Sequence, residues 1–135
     1  MNRFLLVALS VLLVLLLSTA ALAQGFRNLS GTPPTPTLLS PPEKVDLSGK
    51  DTLKFKWYSS GCMGLSRLEF KVYKGYVNSA ANLVYQEDLS GASSSVLVKA
   101  ELFQQGEVYT YTLRAIATGG QKGDLVSDTF EVVGK

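Results

Sequence analysis

The stretch FQQGEVYTYTLRA, residues 103–115, contains a glycine-bearing turn followed by a strictly alternating run of apolar and polar residues. Strict alternation over this length is typical of a β-strand with one buried face. A tight turn directly before a strand that begins with tyrosine is typical of the corner of a two-sheet β-sandwich. We therefore predict that Gly106 forms the turn and that the Tyr109 hydroxyl bonds back to a nearby backbone carbonyl.

Short runs of the same kind continue on both sides of this stretch, separated by clusters of Gly, Ser, Asn and Asp. The clearest run, LKFKW, places two lysines outward and Trp57 inward as a core residue between the sheets. The predicted strands are residues 45–47, 53–57, 68–72, 83–87, 96–98, 108–117 and 129–133. This pattern predicts an all-β, seven-stranded antiparallel two-sheet sandwich. Pro41 and Pro42 are expected to interrupt its first strand and to protect that edge from pairing with another chain.

Three motifs together resemble the fibronectin type III group of immunoglobulin-like sandwiches. The second strand of that group is similar to the run LKFKW, and the third strand is similar to the run LEFKV. The turn and strand at residues 103–115 match the group's Leu-x-Pro-Gly-x-x-Tyr-x-Val-x-Val-x-Ala pattern, with Gln105 in place of proline. The resemblance covers residues 36–133 and implies a fold, but it implies no single ligand.

The N-terminal segment has the form of a signal helix. A short polar n-region with Arg3 precedes a nearly continuous apolar run, and small residues at Ala21 and Ala23 follow it. This pattern predicts a signal peptide at residues 1–23, cleaved after Ala23, and a secreted or periplasmic protein. An uncleaved membrane anchor remains the alternative. Residues 24–36 are expected to form a proline-bearing linker, and residues 37–135 the sandwich domain.

Composition argues against several classes of function. The formal net charge of +2 falls to +1 without Arg3, which gives no strong attraction to nucleic acid or to an anionic membrane. The chain has no histidine, the commonest general base and metal ligand, and its carboxylates are scattered. We therefore expect no enzyme, no metal site and no cofactor. Cys62 is the single cysteine, so it packs under its loop or joins another chain through an intermolecular disulfide.

Two groups of residues are candidates for recognition of a protein or glycan partner. Tyr73, Tyr76 and Tyr85 flank the middle hairpin, where exposed tyrosines would offer both apolar area and a hydroxyl. Lys122, Gly123 and Asp124 lie in the last loop, where they resemble the integrin-binding tripeptide of some fibronectin type III domains. The structural alternatives are ordinary strand aromatics and a flexible glycine-rich hairpin.

The sequence thus predicts an exported, non-catalytic recognition module that is a monomer or associates only weakly. The alternative is a structural subunit of an extracellular or envelope assembly.

Overall fold

A computed structural model describes residues 31–59 and 65–135 of the chain. The predicted signal peptide, most of the linker and Cys62 lie outside the described residues. In this part of the chain, residues 32–135 form one compact unit. Its strands, in chain order, are β1 (Thr37–Ser40), β2 (Lys44–Asp46), β3 (Thr52–Tyr58), β4 (Leu65–Lys74), β5 (Leu83–Ser90), β6 (Ser95–Lys99), β7 (Val108–Ala117) and β8 (Val126–Gly134). Two short 3-10 turns complete it, at Ala80–Asn82 and Ala100–Leu102.

The strands form two sheets that pack face to face. One sheet has three strands in the order β1-β3-β6, and the other has five in the order β2-β8-β7-β4-β5. This arrangement confirms the all-β two-sheet sandwich. None of the helices among the described residues is long and apolar enough to cross a membrane.

Pro41 and Pro42 separate two short strands, and the one before them, β1, is additional to the seven that were predicted. The chain leaves the three-stranded sheet after β1, passes a cis peptide bond between Ser40 and Pro41, and joins the other sheet as β2. Because the chain crosses between sheets without reversing direction, β2 pairs with β8 in parallel. The other pairings between named strands are antiparallel, so the antiparallel prediction needs this one correction.

The core between the sheets is built on aromatic rings. Phe55, fully buried on β3, lies at the centre: its ring centroid is 5.0 Å from those of Phe70 and Tyr111, and 5.7 Å from that of Phe130. Trp57 is also buried, and its indole N–H donates a hydrogen bond of 3.0 Å to the carbonyl oxygen of Ser93. Edge-to-face and offset packing of this kind adds to the stabilisation from burial alone.

The predicted corner is present, with a different hydrogen bond from the expected one. Gly106 has a φ of +84°, a conformation that favours glycine, and its N–H donates to the carbonyl oxygen of Val132. The hydroxyl of Tyr109 accepts a 2.8 Å hydrogen bond from the backbone N–H of Gln104, whereas we expected it to bond to a carbonyl. The donor, Gln104, lies just after the short 3-10 turn Ala100–Leu102 and Phe103, five residues before Tyr109.

Two of the edge strands, β5 and β1, carry features that oppose pairing with another chain. At the edge strand β5, Glu87 pairs in register with the buried Phe70, so it lies on the inner side of the strand, although its side chain stays exposed. An inward charge on an edge strand makes continuation of the sheet unfavourable. At the opposite sheet, β1 is only four residues long and ends at Pro41.

Candidate functional site

The two predicted groups of site residues lie at opposite ends of the sandwich. Along the pairing of β4 with β7, Leu65 faces Ala117 and Lys74 faces Tyr109. The loop after β4, which holds Tyr76, is therefore at one end, and the loop after β7, which holds Lys122, is at the other. A ten-residue strand separates these ends by about 30 Å. They do not form one site.

Of the three tyrosines in the predicted platform, only Tyr76 is largely exposed in the structure. Tyr76 is 74% exposed, but Tyr73 is only 8% exposed. Tyr85 faces the core, because it pairs in register with the buried Val72 and packs at 6.1 Å against the ring of Phe70. The middle hairpin therefore offers one exposed tyrosine, which is too little for a stacking platform.

Burial also governs the acidity of two tyrosines. Burial, with a hydrogen bond from its hydroxyl to Glu87, raises the pKa of Tyr85 to about 12. Burial, with the nearby charge of Asp128, raises the pKa of Tyr111 to about 12. These values place neither hydroxyl near neutral pH, where an acid–base catalyst needs its pKa.

The raised pKa of Tyr111 predicts a loss of stability at alkaline pH. The unfolded chain ionises this phenol from about pH 10, while the folded chain keeps it protonated up to about pH 12. The free energy of unfolding should therefore fall as pH rises through this window, and Tyr111 should contribute about 1.3 kcal/mol of that fall between pH 9 and pH 11. Denaturant unfolding at both pH values, with wild type and Tyr111→Phe, measures this contribution. An identical alkaline fall in both proteins would contradict it.

The Lys-Gly-Asp loop has a structural reason for its glycine. Lys122 forms an isolated β-bridge with Ile116, and the N–H of Gly123 donates to the carbonyl oxygen of Ala115. A Cβ atom at Gly123 would lie 2.9 Å from the carbonyl oxygen of Pro33, which is itself buried. Lys122 and Asp124 are exposed, but Gly123 is buried beneath the end of the predicted linker. We call this end, residues 32–36, the strap.

Substitution of Gly123 should release the strap. An added methyl group at 2.9 Å from backbone oxygen forces either Pro33 or the loop to move. In Gly123→Ala we expect faster hydrogen exchange at the backbone amides of Thr35 and Thr37, the non-proline residues that follow Pro33, with a destabilisation of about 1 kcal/mol or more. Gly119→Ala is the matched control in the same loop, because its Cβ would meet the flexible end of Gln121 instead. Equal exchange in the two variants would contradict this account of the strap.

The most distinctive surface is the outer face of the three-stranded sheet. Alternation places Lys54 and Lys56 of β3 outward between the buried Leu53, Phe55 and Trp57. In the register of β3 with β6, Lys54 faces Leu97, and Thr52 faces Lys99. We call this surface the lysine face. It consists of the following outward residues: Lys54, Lys56 and Lys99, with Leu39, Tyr58 and Leu97.

Charge and apolar area coincide on this face. Leu39, Tyr58 and Leu97 are 60%, 61% and 59% exposed. The sequences of the three strands, TLLS, TLKFKWY and SVLVK, contain no Asp or Glu. At one end of the face, the carboxylate of Glu101 lies 3.9 Å from the ammonium group of Lys99. Both side chains are largely exposed, and ion pairs of this kind are weak.

The outer face of the five-stranded sheet is balanced by comparison. Lys44 pairs in register with Glu131, and Arg114 pairs with Glu69, which also accepts a 3.3 Å hydrogen bond from Arg67. Opposite charges directly across a ladder neutralise one another. The small net charge of the chain therefore conceals a basic surface on one side of the molecule.

A groove extends the lysine face at one end of the sandwich. It has a volume of about 510 Å³ and is lined in part by Lys50, Lys99 and Lys135. Lys135 is held in place by a 2.5 Å hydrogen bond from its ammonium group to the carbonyl oxygen of Phe103. Asp51 and Glu101 also line the groove, so its charge is mixed. Within the described residues, no group of three or more possible metal ligands is found.

Comparison with known proteins identifies the fold. No family model and no curated protein matches the chain. Among solved structures, the chain is similar to the fibronectin(III)-like modules of CbhA from Clostridium thermocellum, with a TM-score of 0.51 and 18% sequence identity. The match covers 73% of this chain and 99% of that one. The protein has a fibronectin type III-like fold. The resemblance seen in the sequence motifs is thereby confirmed at the level of structure.

Proposed function

We propose that the protein is an exported, non-catalytic recognition module that binds a protein or glycan partner at the cell surface, in the periplasm or outside the cell. The observation that carries this proposal is the lysine face. Three lysines and three exposed apolar residues share one side of a sheet whose strands contain no acidic residue. Exposed apolar area with a matching polar surround is characteristic of interaction surfaces.

Other observations support a role in binding without catalysis. The chain has no histidine, and two of the basic residues on the five-stranded sheet, Lys44 and Arg114, face a glutamate across the ladder. The solved structure of similar fold from Clostridium thermocellum is described as fibronectin(III)-like modules of CbhA. Export rests on the sequence pattern of residues 1–23 and stays a prediction.

Capture of partners from the native exported fraction tests this proposal. The bait is the full-length chain, and retained material is analysed for both protein and carbohydrate. We expect retention by wild type, loss in the double variant Lys54→Gln/Lys56→Gln, and retention in the matched control Lys44→Gln/Lys71→Gln. The control removes the same charge from strands of the other sheet. Equal retention by both double variants would place recognition elsewhere, and no retention by wild type would contradict recognition.

The hypothesis of a structural subunit predicts a different oligomeric state. Assembly through the edges at β5 or β1 would have to overcome Glu87 and the proline after β1, and the remaining edges, β2 and β6, are only three and five residues long. We therefore expect a monomer by analytical ultracentrifugation at high protein concentration. Reversible oligomers would favour assembly instead, and their disappearance in reducing agent would assign the link to Cys62.

A further inference from the structure

We infer that the lysine face binds a linear acidic polysaccharide. The inference rests on the proposed recognition function and names the class of partner. Carboxylate or sulfate groups along the sugar chain would lie on Lys54, Lys56 and Lys99. Ring faces of the sugars would lie on the exposed Tyr58, Leu39 and Leu97.

The spacing of the lysines suits a polymer with repeated negative charges. Lys54 and Lys56 are two residues apart on one strand, which separates their backbones by about 7 Å. Lys99 faces Thr52 on the neighbouring strand, so it is a diagonal neighbour of Lys54, at about 7–8 Å. The three ammonium groups therefore form a short path across the face, which the groove containing Lys50 extends at one end.

The residue types favour diffuse attraction over tight recognition of one anionic group. All three cations on the strands are lysines, and a lysine is a compact point charge without the bidentate geometry of arginine. Such a surface attracts a polyanion along its length and does not select one phosphate or carboxylate. Binding should accordingly weaken as salt screens the lysines.

The narrow outline of the face favours an extended partner. Three strands at their usual spacing make this sheet about 14 Å wide. A linear polymer one sugar ring wide lies within that width, whereas a folded protein would extend well beyond the lysine face.

The backbone of the face argues against an extended peptide. Peptides that bind sheets by strand addition use an open edge, where main-chain groups are free. The open edge beside this face is at β6, whereas the lysine face itself presents side chains and the backbone of its central strand β3 is paired on both sides. The contacts offered are therefore ammonium groups, one aromatic ring and two aliphatic side chains, which suit a chain of sugar rings with anionic substituents.

Binding to defined polysaccharides tests the inference. The probes are polygalacturonate, alginate and hyaluronate, with fully methyl-esterified polygalacturonate as the uncharged control on the same backbone. Titration calorimetry with the full-length protein should show binding to at least one acidic probe and none to the ester. We expect Lys54→Gln/Lys56→Gln to lower the affinity at least about tenfold, and Lys44→Gln/Lys71→Gln to change it less than twofold.

A substitution that leaves all the charges in place distinguishes sugar recognition from simple ion exchange. Tyr58→Ala should lower the affinity about threefold or more, because it removes the aromatic surface and leaves the three lysines in place. Unaltered circular dichroism and melting temperature establish that each variant is folded. An undiminished affinity in Tyr58→Ala, or equal losses in the two lysine double variants, would overturn the inference.

The same variants distinguish failure of the inference from failure of the proposed function. If none of the acidic polysaccharides binds, the inference is wrong. Recognition itself still holds in that case if capture from the native fraction yields a protein and depends on Lys54 and Lys56. Binding to phosphatidylglycerol vesicles without binding to any polysaccharide would likewise overturn the inference and assign the face to a membrane.

Discussion

Replacement of Phe55 by alanine should lower the free energy of unfolding by about 3–5 kcal/mol, the range found for buried aromatic residues. Phe55 is fully buried, and its ring lies within 6.4 Å of four other aromatic rings, three from the facing five-stranded sheet and one from the segment after β6. Removing it leaves a cavity where the two sheets meet, and the neighbouring rings are too rigid to fill it. Urea denaturation of wild type and variant measures the difference.

Leu97→Ala is the control for this prediction. Leu97 lies on the neighbouring strand of the same sheet but points outward and is largely exposed, so its truncation should change stability by less than about 0.5 kcal/mol. A loss below about 2 kcal/mol in Phe55→Ala would mean that the core relaxes around the cavity. That result would contradict the central place of Phe55 in the packing.

Tyr109→Phe should cost about 1–3 kcal/mol, since the change removes one oxygen and leaves a backbone donor without its acceptor. The hydroxyl accepts a 2.8 Å hydrogen bond from the N–H of Gln104, and the Tyr109 ring packs at 5.0 Å from that of Phe103. The bond therefore holds the segment before the strand against the strand itself. Denaturant unfolding at pH 7 gives the cost directly.

Tyr111→Phe is the matched control on the same strand. Both tyrosines are 1% exposed, but no hydrogen bond of the Tyr111 hydroxyl to the described residues is found. Its replacement should therefore have little effect on the free energy of unfolding at pH 7. It should mainly reduce the fall of that free energy at alkaline pH. If Tyr109→Phe were equally harmless at pH 7, water would have to satisfy the Gln104 amide, and the corner bond would not stabilise the fold.

The sequence predicted the fold because its strongest signals are local. Residues 108–117 form β7 with the bounds expected from alternation alone. Gly106 and Tyr109 occupy the predicted corner, and Trp57 is buried as expected. Each of these features depends on neighbours within a few residues, where the period of a strand and the φ of a glycine are readable directly.

The lysine face could not be predicted because it depends on pairing between distant strands. The outward direction of Lys54 and Lys56 was readable from alternation. Nothing in the sequence indicates that β6 lies beside β3 and adds Lys99 and Leu97 to the same surface. Net charge was misleading for the same reason, because a total for the chain does not show that Lys54, Lys56 and Lys99 lie together on one face.

The middle hairpin shows a second limit of sequence reasoning. Side-chain direction on a strand has a period of two, so one extra residue reverses the faces that follow. The pairing of β4 with β5 is regular up to Val72, and this register turns Tyr85 toward the core opposite Val72. The shift comes after that pair and affects Tyr73, which is buried although simple alternation from Val72 would place it outward.

The most direct test of the binding surface is a map of amide chemical shifts during titration with short oligomers of polygalacturonate. We predict that perturbed amides fall on β1, β3 and β6, with the largest changes near Lys54, Lys56 and Lys99. Changes confined to the loop of Tyr76, to the loop of Lys122 or to the five-stranded sheet would contradict the assignment of recognition to the lysine face.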